Sequence, residues 1–348
     1  MAANGTWQET MPGAEKSQSV YSYQELLAVN LPPERPLIAG LMGEETGNIW
    51  GGPGGVGKSW LVMAAARAIA SGTPFLDHFP TTQHAVLIVD EENRLRNLQA
   101  RARMFENAAP LGNIPITFAV GMGLRVDAAA ELDQLNALMT EHRPGLVVLD
   151  SLTRVHGANE NSAGEMANVF FYTKALMRAH KCAVLFTDHT RKKGLNNDPA
   201  ETLRGTSEKR AWPETILDVA ADEQERDRLV ITTTKSREAE TGVPFGIQRE
   251  VDNIAGTARL LYVGEATQQK AGTGGEIIQA IHAIKSQLGD DGSDATALGA
   301  WMNRHPDTVR KHASKMATAG LLRTRIVPAS VKGGKPKTVY DVAGGHEW

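Results

Sequence analysis

Eight residues, Gly52-Pro-Gly-Gly-Val-Gly-Lys-Ser59, carry the most specific chemistry in the sequence. They satisfy G-x-x-x-x-G-K-[ST] at each position and stand between an extended segment, "TGNIW", and an Ala-rich helical stretch, "WLVMAAARAIA". Glycines at this density let successive backbone N–H groups converge on a phosphate, and the helix that follows aims its positive end at the same point. The lysine ammonium can reach β- and γ-phosphates, and the serine hydroxyl can ligate Mg²⁺. The expected contacts to a nucleoside triphosphate, ATP with Mg²⁺, are Gly52, Gly54, Gly55, Val56, Gly57, Lys58, Ser59 and Trp60.

Cleaving such a ligand requires an acid that organises the metal and a carboxylate that orients or activates water. Asp150, closing the apolar run "PGLVVLDS", suits the first task, so Ser59 and Asp150 form the expected metal pair. A second run ends "VLIVDEEN" and offers Asp90, Glu91 and Glu92; three adjacent acids repel one another unless a cation or a water-polarising task justifies them. A third run, "CAVLFTDHT", ends in Asp188 and His189, where a polar group could register the γ-phosphate.

These residues need a scaffold that gathers strand ends at one edge. Between residues 46 and 190, short continuous apolar runs alternate with helical segments, the pattern of a parallel sheet covered on both faces. Three closely spaced runs, "RLVITTTKS", "VPFGIQREV" and "ARLLYVGE", predict an antiparallel extension. The fold class is α/β with a mostly parallel twisted sheet, plus a small α+β C-terminal domain. The expected divisions are a flexible leader over 1–25, the main domain over 26–264, a Gly-rich linker over 265–275 and the small domain over 276–343.

Composition narrows the class. The 348 residues are 41% hydrophobic and 22% charged, which excludes wholesale disorder. The single cysteine, Cys182, sits in the apolar "KCAVLF" and reads as a buried thiol. The N-terminus lacks a signal pattern and no apolar run approaches the ~18 residues of a membrane span, so a cytoplasmic protein without a membrane partner is expected. The net charge of −3 divides unevenly: residues 301–340 carry +8 and the rest −11, a hint of nucleic acid binding.

The succession "GGPGGVGKS", "VLIVDEEN", "GLVVLDSLTRVHGANENSAGEM", "LFTDHTRKKG", "LRGTS" and "TKSREAETGVPF" resembles the plasmid RepA hexameric helicases and their RecA-type ATPase relatives, over about residues 30–262. The resemblance implies a RecA-like P-loop core, ATP hydrolysis with Lys58 and Ser59 at phosphate and Mg²⁺, Asp150 as the Walker B acid and His189 at the γ-phosphate sensor position. It implies Glu92 as the catalytic glutamate, with Glu91 as the contender because the acidic register is ambiguous. It also implies a homo-oligomeric, hexameric ring in which each site is completed by a neighbour. Lys235 and Arg237 resemble that superfamily's K-x-R element, and Arg204 matches a further arginine motif. Where RepA carries its finger arginine this chain has "AWPETI", which leaves Arg210 or the later "KSR" to substitute.

The stretch "TRKKGLNNDPAETLRGTS" is long, and Arg191, Lys192 and Lys193 at its start could track single-stranded DNA in a ring channel. Near the C-terminus, "HPDTVRKHASKMATAGLL" reads as a helix starting at Pro306–Asp307 and ending at Gly320. Val309, Ala313 and Met316 would turn inward and Arg310, Lys311 and Lys315 outward. With "KGGKPK" as a wing tip carrying Lys335, this segment resembles a winged helix-turn-helix, a duplex-DNA reader or a docking module for a primase or initiator. The short N-terminal stretch leaves no room for a primase, so priming would need a separate protein. The expectation is an ATP-dependent helicase of plasmid, phage or mobile-element replication that translocates on single-stranded DNA. The alternative is a DNA-binding ATPase that loads a helicase or regulates replication or transcription without processive unwinding.

Overall fold

The computed structural model of the chain describes residues 20–31, 33, 35–190, 205–222, 225, 227–237, 243–266, 277, 280, 281, 284, 293–318, 322–327 and 336–342. The chain folds into two compact units, Met1–Ala266 and Thr267–Trp348.

The first unit is built on one nine-stranded sheet. Its strands are β1 (Gly47–Gly52), β2 (Val86–Asp90), β3 (Ile116–Val120), β4 (Leu146–Asp150), β5 (Ala183–His189), β6 (Thr215–Ala221), β7 (Arg228–Ser236), β8 (Phe245–Asp252) and β9 (Thr257–Glu265). They lie in the order β3-β2-β4-β5-β1-β6-β7-β8-β9. From β3 through β6 all neighbours are parallel, and β6 through β9 form an antiparallel meander. This is an α/β core whose mostly parallel sheet is continued by an antiparallel meander.

Every residue of β1, β2 and β4 is buried between helices on both sides; β2 and β4 are apolar up to their closing aspartates, and the Asn48 amide within β1 donates to the Thr46 carbonyl oxygen (3.0 Å). Alternate side chains serve opposite faces. The first helix of the unit is α1 (Tyr23–Ala28). Trp50, Ile88, Val148 and Leu185 join the core formed with α2 (Lys58–Ser71) and α3 (Leu95–Ala108). Ile49, Val89, Leu149 and Phe186 join the core formed with α4 (Ala129–His142) and α5 (Ala163–His180). Cys182 is buried in the same core, and burial pushes its thiol up to about 12. A short α6 (Glu208–Ala211) precedes β6. Helix α2 ends at Gly72, whose φ of 74° closes the last turn in the left-handed region that glycine adopts without strain. Among the described residues no helix is long and apolar enough to cross a membrane.

One feature departs from the sequence-based expectations. Strand β6 has no clear local signature, since "WPETILDVAA" holds a proline and two acids; it lies parallel to β1 and reverses the sheet into the meander. The short helix that "YQELLAVN" offers is α1, which begins at Tyr23 within the last residues of the leader expected over 1–25. There the Ser22 hydroxyl accepts from the Glu25 N–H (3.3 Å) and the Glu25 carboxylate accepts from the Ser22 N–H (2.7 Å), a reciprocal cap that starts the helix early.

Gly52, the last residue of β1, is needed for contact with β6. A Cβ there would lie 2.5 Å from the Val219 carbonyl oxygen. Gly52→Ala is expected to push the two strands apart and to cost ~1–3 kcal/mol, read as a lowered denaturation midpoint.

In the second unit, α7 (Ala295–Trp301) and α8 (Pro306–Thr318) are followed by an antiparallel hairpin of β10 (Leu322–Val327) and β11 (Lys337–Val342). The Asp294 carboxylate caps α7 by accepting from the Thr296 and Ala297 N–H groups. Leu298, Val309, Ala313, Leu322 and Tyr340 form its core with Ile277, Ala280, Ile281 and Ile284, whose spacing places all four on one helical face.

Candidate nucleotide site

Register brings the chemical residues to one edge. Gly52 on β1 is opposite His189 on β5, and Asp90 on β2 is opposite Asp150 on β4, so all four lie at carboxyl ends of parallel strands. In α/β sheets this edge, next to helix N-termini, is where ligands bind. Between β1 and α2 the loop turns on Gly55 (φ 77°) and Gly57 (φ 119°). A Cβ on Gly55 would meet no heavy atom within 4 Å, and one on Gly54 would touch only the His189 ring at 3.9 Å. The loop is thus an open backbone cradle before a helix N-terminus, which fits a phosphate chain.

Lys58 is buried, and its ammonium donates to the carbonyl oxygens of Gly52 (2.8 Å) and Pro53 (3.1 Å). Burial pulls its pKa below the ordinary lysine value, an effect only partly offset by the negative charges of Asp150, Glu92, Asp188 and Asp218. The Ser59 hydroxyl donates to Asp150 Oδ2 at 3.2 Å, and Thr187 donates from β5 to Asp150 Oδ1. Burial raises the Asp150 pKa, with the Thr187 and Ser59 hydrogen bonds working in the other direction. Among the described residues no set of three or more His, Cys, Asp or Glu side chains is grouped to hold a metal. A cation resting on Ser59 and Asp150 would therefore keep most of its water, which suits the hard, reluctantly dehydrated Mg²⁺.

The three adjacent acids turn to different partners. Asp90 Oδ1 accepts from the backbone N–H groups of Glu92 (3.0 Å) and Asn93 (2.7 Å), and the Asn93 amide also binds both Asp90 oxygens. That makes Asp90 the anchor of its own turn. The Glu91 carboxylate accepts from the N–H groups of Met122 (3.2 Å), Gly123 (3.0 Å) and Leu124 (3.1 Å), holding the segment after β3. Only Glu92 is left facing the loop, with its Oε1 3.9 Å from His189 Nε2. Backbone and amide donors that turn the carboxylates apart offset the mutual repulsion expected of the run.

Other expected contacts fall elsewhere. The Trp60 ring packs between α2 and α3, 5.7 Å from Phe105 and under the Arg101 guanidinium at 5.6 Å, so a nucleotide could meet Trp60 only through its backbone. Val56 is partly buried against the α2-side core. The Lys235 ammonium donates to the carbonyl oxygens of Arg210 (2.6 Å) and Ala211 (2.9 Å), and Arg237 donates to Ala211 (2.9 Å), which places both at the C-terminal end of α6. Trp212, in the "AWPETI" segment that stands in place of a finger arginine, stacks on Phe170 at 4.7 Å. Arg191, Lys192, Lys193, Arg204 and Lys335 lie outside the described residues. On α8, Arg310, Lys311 and Lys315 are exposed while Val309 and Ala313 are buried, and the Arg310 guanidinium is held by Asp307.

Sequence reasoning missed Thr187, Arg249 and Lys209. Arg249 on β8 carries its guanidinium 3.2 Å from where a Gly57 Cβ would sit, paired with Asp227 at 2.7 Å. Lys209 is fully buried, 2.8 Å from Asp188 Oδ2 and 3.0 Å from Glu160 Oε2. The pair explains Asp188, which faces the interior with Lys209 and not the phosphate edge. Nothing in the local sequence "SEKRAW" marks a lysine that will be buried, since its partners come from two distant segments.

Among solved structures, the ATPase domain of G40P aligns with 63% of this chain and 86% of its own length, with a TM-score of 0.49 and 11% sequence identity. The family model described as an AAA domain matches residues 16–194, a span that runs from before α1 to beyond His189. Since that match takes in just over half of the sequence, together with the phosphate loop and the acids it faces, the chain belongs to the AAA domain family of P-loop ATPases.

Proposed function

We propose that the protein is a ring-forming ATPase that translocates on single-stranded DNA and unwinds duplex DNA in plasmid, phage or mobile-element replication. The observation that carries the catalytic part is the convergence on one sheet edge of Lys58, Ser59, Asp150, Glu92 and His189. In this reading Lys58 leaves the loop carbonyls for the β- and γ-phosphates, and Ser59 and Asp150 would hold Mg²⁺, which would supply charge neutralisation at the phosphate oxygens. Glu92 orients a water molecule and takes its proton at a carboxylate oxygen as the water attacks the γ-phosphorus and the bond to the β-phosphate oxygen breaks. His189, beside Glu92 and Gly54, registers whether the γ-phosphate is present.

The DNA part rests on the motif resemblance, on the arrangement of two helices and a hairpin in the second unit, and on its exposed basic side chains. Lys235 and Arg237, or Arg210, would complete a neighbour's site. The test has two steps. ATP hydrolysis should rise with single-stranded DNA, and a forked duplex should be displaced. Stimulation without displacement would favour a loader or regulator, and absence of any DNA effect would refute both. Lys58→Ala should lower turnover by at least ~1,000-fold, because the phosphate charge loses its one buried ammonium in the loop; phosphate release measures it.

A further inference from the structure

Lys209 is the one lysine with no exposed surface among the described residues, and its ammonium joins three segments far apart in sequence. It binds Asp188 at the end of β5 (2.8 Å) and Glu160 ahead of α5 (3.0 Å). Asp188 is itself fully buried, and its other oxygen accepts the backbone N–H of His189 at 2.7 Å. The chain around Lys209 is seated as firmly. The Thr206 N–H donates to the Glu160 carbonyl at 3.1 Å, and Gly205 (φ 96°) passes so close that a Cβ would lie 2.6 Å from that oxygen. The next two residues, Arg210 and Ala211, supply the carbonyl oxygens that hold Lys235 and Arg237.

A buried ammonium costs several kcal/mol in lost hydration, and an apolar residue of similar volume would often serve stability as well or better. The ammonium supplies what a hydrophobic contact cannot, namely directional bonds that fix two segments relative to each other. We propose that Lys209 is a positioning residue: by clamping Asp188 and Glu160 it fixes His189 at the phosphate edge and keeps that edge in register with the Lys235–Arg237 pair. The inference rests on the ATPase reading above and deepens it, because it assigns the mechanical link between the γ-phosphate edge and the side chains offered to a neighbouring protomer. Loss of the clamp would leave the phosphate loop, Ser59 and Asp150 untouched, so ground-state ATP binding should survive while turnover falls.

The experiment compares wild type, Lys58→Ala, Lys209→Met and the double variant Asp188→Asn/Lys209→Met in the full-length protein, measuring kcat, KM for ATP and thermal melting. Lys209→Met should lower kcat by 10- to 100-fold with KM changed by less than about threefold, and should also lower Tm, since Asp188 is left buried without its cation. The double variant removes the two fully buried charges and leaves only the partly exposed Glu160 carboxylate, so it should recover most of the lost Tm, yet its kcat should stay at least about tenfold down. If kcat returns to within about threefold of wild type together with Tm, the pair is structural and the proposal is overturned. If instead wild type and Lys58→Ala alike leave ATP intact, the ATPase reading fails and the positioning role fails with it, a result distinct from the first.

Discussion

Replacing Glu92 by glutamine is expected to lower ATP turnover by about 1,000-fold while leaving ATP affinity within a few-fold of wild type. The amide keeps the size of the carboxylate but cannot take a proton from water, so the loss falls on kcat. The contrast with Glu91 sharpens the test. Glu91 accepts three backbone N–H groups from residues 122–124, and an amide there replaces a charge-assisted cluster with neutral bonds and turns an N–H donor towards backbone donors. Glu91→Gln should therefore cost ~1–3 kcal/mol of stability with turnover reduced less than tenfold. Phosphate release, binding of a fluorescent ATP analogue and chemical denaturation of the two variants separate the roles. Equal losses of turnover in both would refute the assignment of Glu92.

Asp150→Asn is the second large effect, and it runs in opposite directions for activity and stability. Asp150 is buried between Ser59 and Thr187, and burial holds its pKa above the ordinary aspartate value despite those hydrogen bonds. A carboxyl group whose folded pKa is raised binds its proton more tightly in the folded state. Its contribution to stability is therefore most favourable below the unfolded pKa and declines as pH rises from 3.8 through the raised folded value. Asparagine removes the charge, can still accept from Thr187 and can direct its amide to the Ser59 hydroxyl. The variant should melt several degrees higher at neutral pH while turnover falls by ~100-fold or more, because Mg²⁺ loses the anionic partner of Ser59. The gain in Tm should shrink as pH is lowered towards the carboxylate range, where the wild-type side chain is itself protonated. A lower Tm at neutral pH would contradict the account of Asp150 as a charge kept at a cost to stability for metal binding.

Both expectations depend on where strand ends fall, and the local sequence determined a large part of that. The phosphate loop was legible because its chemistry needs glycines, a lysine and a serine at fixed spacing between a strand and a helix, and each of those requirements is local. The continuous apolar runs identified β2, β4 and β5 because a strand buried on both faces has no polar alternate. The same runs placed Asp150, Glu92 and His189 at carboxyl ends, where a parallel sheet collects its ligands.

What tertiary structure alone decided was the destination of side chains whose partners are remote. The string Asp90-Glu91-Glu92 does not show which acid caps its own turn, which holds a distant loop after β3 and which faces the phosphate loop. Lys209 stands in a charged stretch that reads as solvent-facing, and only the meeting of β5, the segment before α5 and α6 buries it between two carboxylates. Strand β6 gave a weak local signal because its place depends on the β1 backbone approaching closely enough to require Gly52. Spacing along a chain encodes backbone periodicity and short-range hydrogen bonding; the pairing of buried charges is set by which surfaces the folded layers bring together, and that is a property of the whole sheet.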